Sequence, residues 1–282
     1  MDNPTRFPPW LKRKPVCEGR RSEVSGLIAD RGLHTVCVEA KCPNRGECFG
    51  KGSAAFLILG SVCTRGCAFC GVASGTPSPV DADEGERLAS AAAEMGLKHV
   101  VVTSVTRDDL PDGGAAAFAD AAAKLRDKIP DAAIELLIPD FRGSADSLKT
   151  VLDSRPNVLN HNMETVPRLY PRIRPQAAYN GSLELIRRAA DDGRAVVKSG
   201  IMVGLGETAD EVYELMRDLR SAGCGVITVG QYLRPSARQI PVAEFVTPQR
   251  FAEYEEEALK MGFARAFCGP YVRSSYRAET LV

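Results

Sequence analysis

Three cysteines stand within eight residues, in the stretch Cys63-Thr-Arg-Gly-Cys67-Ala-Phe-Cys70. Thiolates ligate iron–sulfur clusters, and a [4Fe–4S] cluster offers four irons to four protein ligands. Because this stretch supplies three ligands, one iron would stay open. A metal site with a vacant position binds a substrate or a cofactor, whereas a closed site is usually structural. The spacing therefore predicts a metal centre that takes part in chemistry.

A second group of three cysteines, Cys37, Cys42 and Cys48, precedes the first. Proline and glycine interrupt this group, so we expect a loop rather than a regular element. One interpretation is a structural zinc site completed by His34 or by a distant cysteine. A second iron–sulfur cluster is favoured over zinc, because zinc ribbons usually pair two short C-x2-C knuckles and this spacing is different.

The composition disfavours several classes of protein. Of the 282 residues 44% are hydrophobic and 26% charged, as in ordinary globular proteins. Lys+Arg and Asp+Glu are equal at 36 each, which does not indicate a nucleic-acid partner. No apolar run approaches the roughly 18 residues of a membrane span, and the first residues lack the apolar core of a signal peptide. Nine cysteines, most of them clustered, favour metal binding in a reducing compartment. We expect a cytoplasmic protein without a membrane partner.

Short apolar runs alternate with helical patterns from residue 54 onward, which predicts βαβ crossovers and a parallel sheet. Fewer than eight such units are present, so we predict an α/β fold, an open or partial (β/α) barrel of about six parallel strands. The predicted strands are residues 54–60, 99–103, 132–139, 157–160, 195–203, 226–230 and 263–267. The predicted helices are residues 84–95, 115–127, 144–152, 182–191, 207–222 and 248–261.

The chain is expected to consist of three parts. Residues 1–52 form an N-terminal extension, residues 53–268 form the barrel, and residues 269–282 form a C-terminal tail. We expect residues 1–35 to be irregular. Their basic run, Lys12-Arg-Lys14, is either a solvated surface or a docking patch for an acidic protein.

The C-x3-C-x2-C spacing, with an aromatic residue before the last cysteine, resembles the radical S-adenosylmethionine (radical SAM) superfamily. In that superfamily the amino and carboxylate groups of SAM occupy the open iron. Ligands of parallel α/β folds collect at the carboxyl ends of strands, and several polar loops follow predicted strands here. Glu164 suits the amino group or the ribose hydroxyls of SAM, and Lys198 or Arg174 suits its carboxylate. The candidate cofactor-binding residues are Phe69, Thr103, Asn162, Glu164, Arg174, Lys198, Gly204 and Glu207.

Each polar loop has a structural alternative. A single polar residue after a strand is often a helix cap, a surface charge or a satisfied core group. His161 is explained equally well as a core histidine, and Arg107-Asp108-Asp109 as a structural ion-pair network. The Gly204-x-Gly206 pair lacks the full dinucleotide fingerprint, so a nicotinamide site is not supported.

Taken together, the motifs resemble the lipoyl synthase family over nearly the whole chain from Arg6 onward. They occur in the family's order: both cysteine groups, then residues 103–110, 160–166, 198–207, 230–236 and 273–276. The resemblance implies that a cluster on Cys63, Cys67 and Cys70 reduces SAM to give a 5′-deoxyadenosyl radical. That radical would take a hydrogen atom from C6, and a second one from C8, of an octanoyl chain on a carrier-protein lysine.

The resemblance also implies the source of sulfur. An auxiliary [4Fe–4S] cluster would be held by Cys37, Cys42, Cys48 and a serine of the tail, here Ser275, with Ser274 as second choice. The implied cofactors are therefore two [4Fe–4S] clusters and SAM. The implied catalytic residues are Cys63, Cys67, Cys70 and Ser275.

The implied partners are an octanoylated carrier, a reductant and an iron–sulfur carrier that rebuilds the auxiliary cluster. The carrier would be the glycine cleavage H protein or an E2 lipoyl domain of a 2-oxoacid dehydrogenase, and the reductant ferredoxin or flavodoxin. One competing interpretation is another two-cluster sulfur-inserting radical SAM enzyme, similar to the methylthiotransferases. The other is an iron–sulfur electron carrier, which would need four ligands for each cluster and no ribose-binding loops.

Overall fold

The structure is a computed structural model that describes residues 7–12, 19–276 and 278. Arg13 and Lys14 of the basic run therefore lie outside the described residues. Within the described part, no helix is long and apolar enough to cross a bilayer.

Eight strands form one sheet, and a small second sheet carries the start of the first cysteine group. The strands are β1 (His34–Thr35), β2 (Ala55–Ile58), β3 (Val62–Cys63), β4 (Ala73–Ser74), β5 (His99–Ser104), β6 (Ala133–Leu137), β7 (Val158–Asn160), β8 (Val196–Val203), β9 (Val226–Gln231) and β10 (Arg265–Gly269). The large sheet has the order β1-β2-β5-β6-β7-β8-β9-β10, and β3 pairs with β4.

The large sheet is the predicted partial barrel. Strand β1 is antiparallel to β2, and every pairing from β2 to β10 is parallel. Seven parallel strands are therefore present in the described residues, and each overlaps one of the seven predicted strand segments. Because β1 and β10 do not pair with each other in this part of the chain, the barrel stays open.

Helices connect the parallel strands, as expected of βαβ units. The helices are α1 (Arg21–Asp30), α2 (Val36–Glu39), α3 (Arg45–Gly50), α4 (Glu84–Met95), α5 (Ala115–Lys128), α6 (Ala145–Asp153), α7 (Tyr170–Ile173), α8 (Tyr179–Asp192), α9 (Ala209–Ser221) and α10 (Pro248–Lys260). Helix α4 has the predicted bounds, and it ends at Gly96, whose left-handed backbone caps it.

The N-terminal extension is more regular than predicted. Residues 1–35 were expected to be irregular, but α1 forms there and buries Val24 and Ile28, one turn apart, against the body of the protein. The second cysteine group was expected in a loop, but Cys37 lies in α2 and Cys48 in α3. Helices α2 and α3 span too few residues for a hydrophobic period to be recognised in the sequence. Their stability comes from packing and from local caps such as the Thr35 hydroxyl, which accepts from Val38 N–H at 3.3 Å.

The side chains of strand β5 alternate between the hydrophobic core and the cavities inside the barrel. Val100 and Val102 are fully buried. The alternate residues His99, Val101 and Thr103 line cavities inside the barrel. Successive side chains of a strand point to opposite faces, so the strand ladder places chemistry on one face and apolar packing on the other.

The C-terminal segment, residues 271–276, lies across the barrel and contacts the N-terminal extension. Asn44 Nδ2 donates to the Tyr271 carbonyl at 2.7 Å, and the Tyr276 hydroxyl donates to Glu47 Oε1 at 3.1 Å. Gly230, in β9, lets this segment approach, since a Cβ there would overlap the carbonyl oxygen of Val272.

Replacing Gly230 with alanine should therefore displace this segment. We expect the free energy of unfolding to fall by about 1–3 kcal/mol, because a backbone atom must move to admit the methyl group. Urea unfolding measures this change. Gly26→Ala in α1 is the matched control: no atom lies within 4 Å of the new Cβ, so stability should hold or rise by up to about 1 kcal/mol. Equal stability of the two variants would contradict the close approach.

Candidate active site

A cavity of about 320 Å³, here the main cavity, lies at the carboxyl ends of the parallel strands. Much of its wall is apolar, with contributions from Leu57, Leu137, Ile138, Ile201 and Met202. The first cysteine group and five of the eight predicted cofactor contacts line it, namely Cys63, Cys67, Cys70, Phe69, Thr103, Asn162, Glu164 and Arg174. Most of the residues predicted to bind cofactor at the strand ends therefore line one cavity.

A buried ion-pair network holds the loop of the first cysteine group. The Arg65 side chain is 5% exposed and donates to the carboxylates of Asp108 and Asp140, with N–O distances of 2.7–2.8 Å. The structural ion-pair alternative is thus correct for Asp108. The backbone N–H groups of Arg65 and Thr106 point to Cys63 Sγ at 3.4 and 3.3 Å. Hydrogen bonds of this kind set the potential of a cluster bound through the sulfur.

Burial determines the protonation of two thiols in the main cavity. It raises the pKa of Cys70 to about 12 and also raises the pKa of Cys67. A thiol must lose its proton to bind a metal, so loading this site with iron releases protons.

Asn162, Glu164 and Arg174 form a polar corner of the main cavity. Asn162 Nδ2 donates to Glu164 Oε1 at 3.1 Å, and Arg174 Nη1 donates to the Asn162 carbonyl at 2.9 Å. Burial raises the pKa of Glu164, and the charge of Arg174 opposes that rise. Glu164 also has a left-handed φ of 66°. Strain of this kind in a residue other than glycine is common at functional sites.

The main cavity fits a cluster with a zwitterionic ligand. Asn162 Oδ1 is buried without a hydrogen-bond partner, and an amino group or a ribose hydroxyl would satisfy it. Gly200 leaves room beside it, because a Cβ there would stand 2.8 Å from Asn162 Oδ1 and 2.7 Å from Thr228 Oγ1. Three thiols, one acid, one cation and one unsatisfied acceptor are together what a [4Fe–4S] cluster and SAM require.

Lys198 does not reach this cavity, which corrects its interpretation as a carboxylate ligand. Its side chain is 1% exposed, and Nζ lies 2.9 Å from Oε1 of Glu135, which is itself fully buried. Glu135 Oε1 also accepts from Asn160 Nδ2 at 2.9 Å, and Oε2 lies 3.1 Å from His99 Nε2. Burial favours the neutral acid, but these hydrogen bonds and the Lys198 charge hold the pKa of Glu135 below its usual range.

Gly204 and Glu207 do not line the main cavity either. The Glu207 carboxylate accepts from the backbone N–H groups of Gly204 and Leu205, and it thereby closes the turn after β8. Gly204 has a φ of 93°, a conformation that favours glycine. Both residues therefore shape the loop, and their assignment as cofactor contacts is corrected.

His161 lines the main cavity, but its ring is fully satisfied. Nδ1 lies 2.9 Å from the Ile138 carbonyl and Nε2 lies 2.9 Å from the Ser182 hydroxyl. Burial lowers the pKa of His161 to about 4, so the ring is neutral near pH 7. The core-histidine interpretation is the one that these contacts support.

A second cavity, here the auxiliary cavity, adjoins the main one. It is lined by all three cysteines of the second group and by Ser275. Cys37, Cys42 and Ser275 also line the main cavity, so the two spaces share a wall. Burial raises the pKa of Cys37 to about 11 and that of Cys48 to about 12.

The donor set of the auxiliary cavity suits a cluster. In the described residues, no three His, Cys, Asp or Glu side chains converge closely enough to hold one metal ion. The corners of a four-iron cube are separate, so its ligands lie farther apart than the ligands of a single ion. His34, the proposed fourth zinc ligand, lines neither cavity, and its Nδ1 lies 3.3 Å from Glu39 Oε1.

Sequence reasoning did not single out several residues of these cavities, among them Gly200, Thr228 and His99. Gly200 and Thr228 line the main cavity from inside β8 and β9, and His99 lines the auxiliary cavity. Side chains along a strand alternate between its two faces, so Gly200 lies on the same face as Lys198. This alternation is the sequence signal that could have identified these residues.

The comparisons with known proteins agree with this geometry. Residues 57–219 match the Radical SAM superfamily. The lipoyl synthase of Caldanaerobacter subterraneus subsp. tengcongensis is 51% identical, with 97% of this chain and 96% of the relative aligned. The lipoyl synthase of Thiobacillus denitrificans is 53% identical, with 97% and 89% aligned. This chain belongs to the lipoyl synthase family. It is thus a radical SAM enzyme, a class that uses a [4Fe–4S] cluster and SAM.

Solved structures support the fold alone. HydG, a maturase of the [FeFe]-hydrogenase, superposes with a TM-score of 0.58 at 16% identity, over 86% of this chain and 61% of HydG. Streptococcus suis SuiB bound to S-adenosylmethionine gives a TM-score of 0.60 at 11% identity, over 76% of this chain and 49% of SuiB. Methylornithine synthase gives 0.56 at 14% identity, over 87% and 74%.

Lys198 should act on stability rather than on SAM affinity. Lys198→Met leaves the buried Glu135 carboxylate without its cation, which should cost about 3–5 kcal/mol of unfolding free energy. Adding Glu135→Gln removes the charge, so the double variant should be more stable than Lys198→Met. Urea unfolding and equilibrium SAM binding by the folded protein test both points. A large loss of SAM affinity at unchanged stability would restore Lys198 as a ligand.

Proposed function

We propose that this chain is a lipoyl synthase that inserts sulfur at C6 and C8 of a protein-bound octanoyl-lysine. The observation that carries the proposal is the pair of adjoining cavities, each lined by one complete cysteine group. The main cavity has a polar corner for SAM, and the auxiliary cavity adds Ser275 to its three thiols. Because the two cavities share a wall, they suit a reaction in which a substrate carbon bonds to sulfur directly after it has lost a hydrogen atom.

In this proposal the main cavity generates and confines the radical. When bound there, the cluster and SAM supply a 5′-deoxyadenosyl radical, which can remove hydrogen from a C–H bond that resists acid–base chemistry. Cys63, Cys67 and Cys70 would hold the cluster. The polar corner would hold the charged end of SAM, with Glu164 for the amino group and Arg174 for the carboxylate. The apolar wall excludes water from the reacting carbon.

The same apolar wall suits the substrate. Leucine, isoleucine and methionine side chains line the space beside both thiol groups, and they favour burial of a saturated alkyl chain. An octanoyl group meets this description, and its amide end would leave towards the carrier protein.

We infer that Cys37, Cys42, Cys48 and Ser275 hold the auxiliary cluster, which is a substrate because its sulfides are consumed. At each position one C–H hydrogen leaves in 5′-deoxyadenosine and one C–S bond forms, and the electron released by bonding to sulfide would pass to iron of the consumed cluster. The freed sulfurs take up protons, so the dithiol product gains two sulfurs. Closure of the disulfide ring by an added oxidant then removes two hydrogens. A serine oxygen is a harder ligand than a thiolate and suits iron–sulfur ions less well. Its easy departure would help to open the cluster as sulfur is withdrawn.

The proposal also covers the three parts of the chain, its partners and its location. Residues 1–52 and 269–282 would serve the auxiliary cluster, and residues 53–268 would perform the radical step. The partners would be the H protein or an E2 lipoyl domain, a ferredoxin or flavodoxin, and a carrier that rebuilds the cluster. A cytoplasmic location is part of the same proposal.

Replacing each cysteine group separately tests whether the first group serves the radical step and the second group serves sulfur insertion. Replacing Cys37, Cys42 and Cys48 with alanine should preserve 5′-deoxyadenosine formation and abolish sulfur insertion, because the radical step does not need them. Replacing Cys63, Cys67 and Cys70 should abolish both. Chromatography measures 5′-deoxyadenosine, and mass spectrometry of an octanoylated carrier peptide measures the two added sulfurs, with two hydrogens lost once the dithiol is oxidised to the disulfide.

Cys268→Ala is the matched control, since this half-buried thiol lines neither cavity. It should keep both activities. Sulfur insertion by the chain that lacks Cys37, Cys42 and Cys48 would refute the auxiliary role. If the unaltered chain releases no 5′-deoxyadenosine, it is an electron carrier rather than a radical enzyme. A methylthiotransferase-like enzyme would leave the octanoyl peptide unmodified.

A further inference from the structure

One ring nitrogen in the auxiliary cavity has no role in the proposed ligand set. His99 lines this cavity together with the second cysteine group and Ser275. Its side chain is 3% exposed, and Nδ1 is buried without a hydrogen-bond partner among the residues that the structure describes. A buried polar atom left unsatisfied is costly and calls for a partner that the protein alone does not supply.

The other ring nitrogen of His99 is fixed by Glu135. Nε2 lies 3.1 Å from Glu135 Oε2, and a carboxylate only accepts, so Nε2 carries the hydrogen. Lys198 already balances the charge of this carboxylate at 2.9 Å. With the hydrogen on Nε2, the lone pair of Nδ1 is the feature of the ring that a metal could use. Metal-ligating histidines have this arrangement, with one nitrogen on the metal and the other donating to a carboxylate.

We propose that His99 ligates iron of the auxiliary cluster through Nδ1 when Ser275 is not bound. The proposal rests on the proposed function, in which the second cysteine group holds that cluster. The exchange breaks an iron–oxygen bond, forms an iron–nitrogen bond and transfers no electron; the released serine oxygen takes a proton from water. His99 would thus retain iron while sulfide is being withdrawn.

The placement of the two ligands suits such an exchange. His99 begins β5, within the ladder of the sheet, and its ring is held by a buried carboxylate. Ser275 belongs to a segment without regular structure. Asn44 also lines the cavity, and its Oδ1 has no hydrogen-bond partner in the described part of the chain. A neutral amide oxygen is, however, a poorer ligand for iron than an imidazole nitrogen.

The test isolates the auxiliary cluster in the full chain. Cys63, Cys67 and Cys70 are replaced with alanine, and the protein is reconstituted anaerobically with iron and sulfide. Pulsed EPR of the reduced cluster then detects nitrogen bound to iron. We expect no strong nitrogen coupling while Ser275 is present. Adding Ser275→Ala should produce a nitrogen coupling whose pattern changes when the protein is grown with ¹⁵N-histidine.

Two further variants assign that coupling. Adding His99→Gln to the Ser275→Ala protein should abolish the coupling and cause loss of iron on gel filtration. Glutamine can keep an amide N–H near Glu135 but offers no imidazole lone pair. Adding His34→Gln instead is the matched control and should leave the coupling and the iron content unchanged, because His34 lies outside both cavities.

The result that overturns the proposal is a Ser275→Ala cluster without histidine coupling. This outcome needs no His99 variant, so misfolding of that variant cannot obscure it. Failure of the proposed function looks different. If replacing Cys37, Cys42 and Cys48 in the same background leaves the iron content unchanged, this cavity holds no cluster at all.

Discussion

A carboxylate buried inside the barrel is the constraint on which the other parts of the site depend. Glu135 on β6 contacts Lys198 on β8, Asn160 at the end of β7 and His99 at the start of β5. A charge in such a place is tolerated only when it is paired and hydrogen-bonded. Meeting that demand fixes the relative positions of four strands, and therefore of the loops at their carboxyl ends that line the main cavity.

The site extends beyond the barrel because both ends of the chain cover it. Helices α2 and α3 bring the second cysteine group to the barrel, and residues 271–276 close over it through contacts with Asn44 and Glu47. Ser275 therefore meets cysteines more than two hundred positions away. In the proposed function, the radical chemistry depends on the barrel and the sulfur supply depends on these additions.

Much of this arrangement could be predicted from the sequence. Thiol spacing and strand-end position are local properties, so the main cavity and α4 were predictable. Lys198 was misassigned because the sequence does not reveal that its side chain reaches Glu135 on β6, with β7 lying between their two strands. Gly204 and Glu207 were misassigned because a carboxylate that closes a turn has the same sequence pattern as one that binds a ligand.

The C-terminal segment is held in a different way from the strands of the barrel. Residues 271–276 belong to no strand or helix, and side-chain hydrogen bonds such as that from Asn44 help to hold them. Such bonds contribute about 0.5–1.5 kcal/mol each. No strand pairing in the described part of the chain includes this segment. In the proposed function, the position of Ser275 therefore depends on these side-chain contacts and not on the ladder of the sheet.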